Sequence, residues 1–275
     1  MQNVAPIAII KPSKGWRFLN VRELWNYREL LYFLTWRDVK VRYKQAVLGF
    51  LWAFVQPFLK MIVFSVIFGT FAQMDSEGFP YPIFLYAGLL PWQFFADSVT
   101  RSGNSVVGSA NLITKVYFPR LIIPISSVGA ALVDFAISFG VLLGLMLFYR
   151  TMPTLSILML LPLVVLTIMT ALGVGIFVSA LNVAYRDFRY IVPFLVQIWM
   201  FVTPVVYATT IIPRRWYWLV QLNPMGGIVD AYRSAILGKP FDWNTLAISL
   251  MISAAMFTVG LIVFRRTERY FADII

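Results

Sequence analysis

The 275-residue chain contains no cysteine and no histidine, and only 13% of its residues are charged. Without cysteine it has no disulfide and no thiolate chemistry. Without histidine it has neither the usual near-neutral acid–base group nor the usual zinc ligand. A soluble domain has about a quarter of its residues charged. A chain that is instead 60% hydrophobic is predicted to be a membrane protein with no metal site and no nucleophilic catalysis.

Several motifs are also missing. The sequence has no G-x-x-x-x-G-K-[ST] loop to bind the phosphates of ATP, and no G-x-G-x-x-G at the start of a helix. Residues 1–20 lack the apolar run and cleavage site of a signal peptide. We therefore expect no cofactor on this chain, and the energy for any transport must come from an ion gradient or from another protein.

The apolar segments predict an all-α membrane fold with six spans. A helix needs about 20 apolar residues to cross a hydrocarbon core of about 30 Å, and lipid offers no partner for free backbone groups. The predicted spans are 47–72, 81–100, 121–149, 155–181, 189–208 and 245–264. The corresponding domains are a cytoplasmic tail with an interfacial helix (1–46), a six-span transmembrane domain (47–264) and a cytoplasmic tail (265–275).

The net charge of +11 is typical of nucleic-acid-binding proteins, but the basic residues stand beside apolar runs. That placement indicates a membrane with a positive cytoplasmic side and no nucleic-acid partner. If the N-terminus is cytoplasmic, the cytoplasmic segments carry seventeen Lys and Arg residues and the outer segments five. The sequence therefore predicts that both termini lie in the cytoplasm.

The region before the first span combines an apolar face with a basic one. Leu24, Tyr27, Leu30, Leu31 and Leu34 share one helical face, which suits a helix in the membrane interface. Thr35 and Asp38 form a T-x-x-D pattern that predicts a new helix start. The basic residues after it are Arg37, Lys40, Arg42 and Lys44. They serve to fix the topology, to bind anionic lipid, to contact a partner protein, or more than one of these.

Two further segments are neither spans nor plain loops. In the segment 101–120, the run 104–116 predicts a short helix across the cytoplasmic face, ended by Pro119, or else an ordinary connector. The segment 209–244 predicts two short helices that dip into the outer leaflet, or else a surface loop with interfacial Trp216 and Trp218. Asn223 is a good N-cap there, and Gly238 is a good C-terminal stop.

Charged residues inside spans are candidates for function. Lys60 and Asp134 are predicted to pair or to face a polar cavity, and Asp97 and Arg101 to pair locally. Aromatic residues make up 17% of the chain and can stack against sugars. The channel or gate candidates are Trp52, Lys60, Trp92, Phe95, Asp134, Trp216, Trp218 and Tyr232.

Four stretches carry a resemblance to a known family. They are RDVKVRYKQAVLGFLWAFVQP (37–57), PYPIFLYAGLLPWQFF (80–95), GSANLITKVYFPRLIIP (108–124) and NPMGGIVDAYRSAILG (223–238). The chain resembles the type-2 ABC exporter permeases, and most closely the membrane subunit of the O-antigen and related polysaccharide exporters of Gram-negative bacteria. The resemblance extends from about residue 25 to residue 266.

The resemblance implies a permease homodimer in the inner membrane, with two ATP-binding subunits that bind ATP and Mg²⁺. Its cargo would be a lipid-linked polysaccharide. The segment 22–44 would be the interfacial helix, with Arg37, Lys40, Arg42 and Lys44 near the lipid headgroup. The segment 104–118 would couple to the ATPase, and 213–238 would form re-entrant helices at the periplasmic gate. The candidate coupling contacts are Asn111, Lys115, Tyr117 and Arg120.

Three alternatives remain open at the level of the sequence. An exporter of the same family could carry capsule, teichoic acid or a drug. A gradient-driven transporter would need a protonatable pair such as Lys60 and Asp134, and an internal repeat, which the sequence does not show clearly. A membrane enzyme that builds glycans would need acidic residues clustered at one membrane face.

Overall fold

The computed structural model describes residues 21–44, 51–151 and 154–271. Every regular element in these ranges is helical, which confirms the all-α fold class. Residues 1–20, 45–50, 152–153 and 272–275 lie outside the described part. The predicted N-terminal tail, the first residues of the predicted span 47–72 and the last residues of the chain therefore stay untested.

Eleven α-helices are present in the described ranges. They are α1 (Val21–Asn26), α2 (Arg28–Lys44), α3 (Trp52–Phe64), α4 (Tyr81–Gly108), α5 (Ala110–Lys115), α6 (Ile122–Phe148), α7 (Leu160–Ala184), α8 (Phe188–Val202), α9 (Tyr217–Leu222), α10 (Pro224–Leu237) and α11 (Trp243–Thr267). A π-helical segment, Ser65–Phe71, continues α3, and a 3₁₀ turn, Leu155–Met159, precedes α7.

Four of these helical segments are long and apolar enough to cross a membrane. They are Trp52–Phe71, Ile122–Phe148, Leu155–Ala184 and Trp243–Thr267. They match the first, third, fourth and sixth predicted spans. The other two predicted spans differ from the prediction in length, and each difference has a local cause.

The predicted span 81–100 is part of a longer helix. Helix α4 has 28 residues and continues unbroken through Pro91 to Gly108. The short helix predicted over 104–116 is present but shorter, because residues up to Gly108 belong to α4 and the separate helix contains only Ala110–Lys115. No further proline occurs in α4 after Pro91, and Gly103 costs a helix interior only about 1 kcal/mol, so α4 continues past its charged residues to Gly108.

The predicted span 189–208 ends early. Helix α8 has 15 residues, which correspond to about 22 Å at 1.5 Å per residue. Thr203, which follows it, is extended. Thr203 precedes Pro204, and the residue before a proline is disfavoured in the helical conformation. The chain after α8 therefore forms a loop and short turns up to α9.

Helix α4 lies at the centre of the bundle and packs against α6, α7, α8 and α10. Its residues from Ile83 to Phe95 are almost all buried. Helix α7 packs against α11 as extensively as it packs against α4. A side-chain carbon on Gly260 would lie 2.3 Å from the carbonyl oxygen of Gly173, so only glycine permits this approach.

Helix α2 lies along α6. Leu34 is 6% exposed, and Leu24, Tyr27, Leu30 and Leu31 pack against its cluster, which confirms the predicted apolar face. The predicted helix start at Thr35 was wrong, because α2 runs unbroken from Arg28 to Lys44. The hydroxyl of Thr35 instead donates to the carbonyl oxygen of Ser126 on α6, at 3.4 Å.

Candidate functional site

A group of charged side chains meets at Asp134 on α6. Its Oδ2 forms an ion pair with Arg42 of α2 and accepts a hydrogen bond from Nη1 of Arg101 on α4, at 2.9 Å. Its Oδ1 accepts a hydrogen bond from the hydroxyl of Tyr43. One carboxylate therefore contacts groups from two other helices, and it fastens the end of α2 to the bundle.

A second chain of polar groups begins at Lys60 on α3. Its ammonium donates to Oε1 of Gln93 at 2.6 Å, and Nε2 of Gln93 donates to Asp97 at 2.9 Å. Asp97 also lies 3.8 Å from Arg101, as predicted for a local pair. Arg101 therefore joins this chain to Asp134, since its guanidinium contacts both carboxylates.

These groups form what we call the Asp134 cluster. Its members are Arg42, Tyr43, Lys60, Gln93, Asp97, Arg101 and Asp134, and all seven line one cavity of about 450 Å³. Lys60 and Asp134 were predicted to pair or to face a polar cavity. They face the same cavity and each contacts other residues. The rest of the wall is largely apolar, with Trp52, Pro57, Phe94 and Phe135.

The other basic residues of α2 point elsewhere. Arg37 pairs with its neighbour Asp38 at 2.9 Å, and its side chain is 50% exposed. The ammonium of Lys40 lies 5.6 Å from the centre of the Trp36 ring, and both Lys40 and Lys44 are exposed. Of the four basic residues proposed to lie near a lipid headgroup, only Arg42 belongs to the cluster.

The segment after α4 offers an exposed surface at the same end of the bundle. Asn111 and Lys115 are exposed, and Tyr117 is 68% exposed. Arg120 differs from them, because its guanidinium donates to the carbonyl oxygen of Glu268 and lies 5.9 Å from the ring of Phe271. Three of the four predicted coupling residues are thus accessible, and the fourth binds the C-terminal turn.

At the opposite end, α10 has the termini that the sequence predicted. The side chain of Asn223 accepts a hydrogen bond from the backbone N–H of Met225 at 3.1 Å, with Pro224 at the first helical position. Gly238 ends the helix in the left-handed conformation at φ 72°. Trp216 and Trp218, just before α10, are about half exposed.

Helix α10 also buries an arginine that sequence reasoning missed. Arg233 is 1% exposed. Its guanidinium donates to the carbonyl oxygens of Pro204 at 2.8 Å, Val205 at 2.6 Å, Tyr207 at 3.1 Å and Phe84 at 3.3 Å. It also lies 3.8 Å from the centre of the Phe84 ring. We call these contacts the Arg233 site.

The Arg233 site joins three parts of the chain. The loop after α8 supplies three of its acceptors and α4 supplies the fourth, while α10 supplies the arginine. A buried cation is tolerated when its hydrogen bonds are satisfied. The sequence could have indicated this site, because Arg233 is a charged residue within the semi-apolar stretch that forms α10. Charged residues in membrane segments usually have a specific role.

The predicted aromatic candidates divide into buried and accessible ones. Trp92, Phe95 and Tyr232 are at most 2% exposed, and the rings of Phe95 and Trp199 pack edge to face at 5.1 Å. These residues therefore lie in the core of the single chain. Trp52, Trp216 and Trp218 are 47%, 48% and 52% exposed, so they present accessible aromatic surface.

The match to a known protein family covers most of the helices described above. The family model for ABC-2 type transporters matches residues 29–237, from the start of α2 to the end of α10. The match therefore includes both the Asp134 cluster and the Arg233 site.

Curated relatives cover nearly the same region. An O-antigen export system permease protein of Klebsiella pneumoniae is 30% identical over 248 residues, which cover 90% of this chain and 95% of that protein. A protein of the same name from Myxococcus xanthus is 36% identical over 217 residues, with 78% and 82% covered. The polysialic acid transport protein of Escherichia coli is 24% identical over 238 residues, with 84% and 91% covered.

Proposed function

Because this chain belongs to the ABC-2 type transporter family, we propose that it is the membrane subunit of an ATP-driven exporter of lipid-linked polysaccharide of the O-antigen type. The observation that carries the proposal is the 30% identity to an O-antigen export permease over 95% of that protein's length. The identity to the polysialic acid transporter is lower, at 24%. O-antigen cargo is thus favoured over capsule cargo, and a gradient-driven carrier or a glycan-building enzyme is not favoured.

We propose six membrane crossings in the bacterial inner membrane, with both termini in the cytoplasm. The four long apolar helices supply four crossings, and α4 and α8 supply the others. The loop after α8, together with α9 and α10, completes the periplasmic side. The excess of Lys and Arg in the segments on the α5 side supports this orientation.

The exporter would contain two copies of this chain and two ATP-binding subunits. ATP and Mg²⁺ would bind to those partner subunits, and this chain would not itself be an enzyme. We expect such a subunit to bind the surface formed by Asn111, Lys115 and Tyr117, because all three side chains are exposed and would face the cytoplasm in the proposed orientation. Closure of the ATPases would push on this surface and open the path between the two permease copies.

The cargo would meet two kinds of surface. Its anionic lipid headgroup would approach the basic face of α2, where Arg37, Lys40 and Lys44 are exposed. Its sugars would move over accessible aromatic rings, for which Trp52, Trp216 and Trp218 are the candidates. Weak stacking on successive rings would allow a long glycan to slide without tight binding.

Purification from the native host tests this proposal. We expect the tagged chain, extracted in mild detergent, to retain a stoichiometric ATP-binding subunit with vanadate-sensitive hydrolysis. Depletion of the chain should leave lipid-linked polysaccharide on the cytoplasmic side of the membrane. A chain that purifies without an ATPase, or whose depletion leaves polysaccharide export intact, would rule the proposal out.

A pair of variants locates the contact with the ATPase. Tyr117→Ala should weaken the retention of the ATP-binding subunit, because this exposed ring lies on the proposed coupling surface. Phe148→Ala is the matched control, since Phe148 is 78% exposed at the opposite end of α6. Equal loss of the subunit in both variants would contradict the assignment of the coupling surface.

A further inference from the structure

We propose that the cavity beside Lys60 binds the phosphodiester headgroup of one bilayer phospholipid, separate from the exported cargo. The cavity is bounded by α2, α3, α4 and α6 of a single chain. Such a lipid would be a fixed component of the permease, and its binding does not depend on what the exporter carries.

The charges that line the cavity do not balance. Its described lining contains three cations, Arg42, Lys60 and Arg101, and two carboxylates, Asp97 and Asp134. An unbalanced charge within a membrane bundle is costly, because the surroundings solvate it poorly. A phosphodiester has one negative charge, so one bound headgroup would make the cavity neutral.

Lys60 is the cation best placed for this ligand. An ammonium group has three N–H donors. Within the described part of the chain, Gln93 Oε1 is the single acceptor that Lys60 contacts at hydrogen-bond distance. The two arginines already have charged partners, since Arg42 pairs with Asp134 and Arg101 contacts both carboxylates, whereas the hydrogen bond of Lys60 is to a neutral amide. Lys60 therefore has donors available for a phosphate oxygen.

The direction of the Lys60 side chain suits a ligand that enters from the start of α3. Side chains of a helix tilt toward its N-terminus. The N-terminal residues Trp52 and Gln56 line the same cavity and are exposed, so they mark its mouth. Lys60 lies about two turns after Trp52 along α3, about 12 Å from it by the helical rise. In the proposed orientation, this mouth opens at the cytoplasmic leaflet.

The cavity wall distinguishes a lipid from a free phosphate. A soluble phosphate would use only the polar groups, whereas Trp52, Pro57, Phe94 and Phe135 present an apolar surface beside them. A lipid places its phosphate at the cations and the first part of its chains against that surface. The volume of about 450 Å³ suits one headgroup. The basic end of α2 next to the mouth would attract an anionic lipid in particular.

Lipid retention on the purified permease tests the proposal. The full chain, with any subunit that copurifies, is stripped of lipid in detergent and supplied with phosphatidylglycerol, phosphatidylcholine or glycerol phosphate. Bound lipid is counted by native mass spectrometry, and the thermal midpoint is recorded alongside. We expect one tightly retained phosphatidylglycerol per chain, a higher midpoint with it, and little effect of glycerol phosphate alone.

Variants assign the binding to the cavity. Lys60→Met should reduce retention of phosphatidylglycerol at least about tenfold, the loss expected when a hydrogen bond to a charged group is removed. Lys60→Arg should retain it. Arg186→Met is the control, because Arg186 is an exposed basic residue between α7 and α8, outside the cavity lining and away from the basic face of α2. Trp52→Ala shortens the apolar wall and leaves every charge in place, so it tests the site even where Lys60→Met fails to fold.

Three results would overturn the proposal. Unchanged retention in both Lys60→Met and Trp52→Ala would place the lipid elsewhere. Equal retention of phosphatidylcholine and phosphatidylglycerol in every variant would indicate non-specific lipid binding. Full stabilisation by glycerol phosphate alone would indicate a site for soluble phosphate.

Discussion

The Asp134 cluster and the Arg233 site both hold positive charge inside the bundle, but they satisfy it in different ways. In the cluster, Arg42 and Arg101 meet the carboxylate side chains of Asp97 and Asp134, and the paired side chains are 19–33% exposed. Arg233 is 1% exposed, and its acceptors are backbone carbonyl oxygens. One region thus uses side chains beside an open cavity, and the other uses fixed backbone in the core.

This difference predicts how each region responds to change. A carboxylate side chain can rotate, exchange partners or be replaced by water from the cavity. A backbone carbonyl in a packed loop cannot, so loss of its donor leaves a buried acceptor unsatisfied. We therefore expect the Arg233 site to hold one arrangement of the loop after α8, and the Asp134 cluster to tolerate rearrangement.

Removal of the buried arginine should have the largest effect. Arg233→Ala leaves the carbonyl groups of Pro204, Val205 and Tyr207 without their donor. We expect a destabilisation of about 3–5 kcal/mol, as for one broken partner of a buried charged network. Thermal unfolding of the detergent-purified chain, followed by tryptophan fluorescence, measures it.

Two companion variants test that reading. Arg233→Lys should recover part of the stability, because an ammonium can reach some of the carbonyl groups but not all of them. Arg214→Ala removes an exposed arginine from the same side of the bundle and should leave the unfolding midpoint unchanged. If Arg233→Ala unfolds like the Arg214→Ala control, the buried site contributes nothing and the comparison fails.

Loss of the cluster's central carboxylate should cost less. Asp134→Asn keeps the shape of the side chain, but it removes the charged partner of Arg42 and leaves Arg101 with Asp97 alone. We expect about 1–3 kcal/mol, reduced by water and by the other carboxylate, Asp97. The double variant Arg42→Gln/Asp134→Asn should be less destabilised than the sum of the two single variants. Additive effects would show that the pair is not coupled.

Crowding of the Arg233 site should have a smaller effect. A side-chain carbon on Gly88 would lie 3.0 Å from Nη2 of Arg233 and 3.1 Å from Cγ1 of Val229. Gly88→Ala should therefore be about 1 kcal/mol less stable than Gly140→Ala, where the described residues leave space. Both substitutions add the same helix propensity, so their difference in unfolding midpoint isolates the crowding. A midpoint for Gly88→Ala at or above that of Gly140→Ala would show that the guanidinium can shift freely.

The sequence predicted the structural features that depend on residues close together in the chain. The all-α class, the apolar face of α2 and both ends of α10 depend on neighbouring residues or on helical spacing, and they are present as predicted. The charges at Lys60 and Asp134 were recognised because a charge in an apolar run is visible without a structure. Their common cavity was one of two predicted alternatives.

The sequence did not predict what distant contacts decide. Arg233 bonds to Phe84, which is 149 positions away, so no local pattern indicated its acceptors. Thr35 and Asp38 match a helix-start pattern, but packing of α2 on α6 keeps the helix continuous there. Pro204 indicated an early end of α8. The prediction gave more weight to the apolar composition of 189–208 and placed the end of the span too late.

A similarly small effect is expected at a surface cap, Asp242. Asp242, before α11, accepts hydrogen bonds from the hydroxyl of Thr245 at 2.6 Å, from its backbone N–H at 3.2 Å and from the hydroxyl of Tyr217 at 3.1 Å. These bonds, the Thr245 hydroxyl first among them, hold the pKa of Asp242 below its usual range. Asp242→Ala should cost about 1 kcal/mol, the usual contribution of an N-cap.

The lowered pKa of Asp242 makes its contribution to stability depend on pH, unlike the contribution of Arg233. A carboxylate with a lowered folded-state pKa stabilises the protein fully above its unfolded value of about 3.9 and loses that contribution as the pH falls through the folded value. The difference in midpoint between the unmodified chain and Asp242→Ala should therefore shrink on acidification below about pH 4. For Arg233→Ala the difference should persist, because a guanidinium stays charged across this range. A cap effect that is constant with pH would show that Asp242 acts through packing and not through its charge.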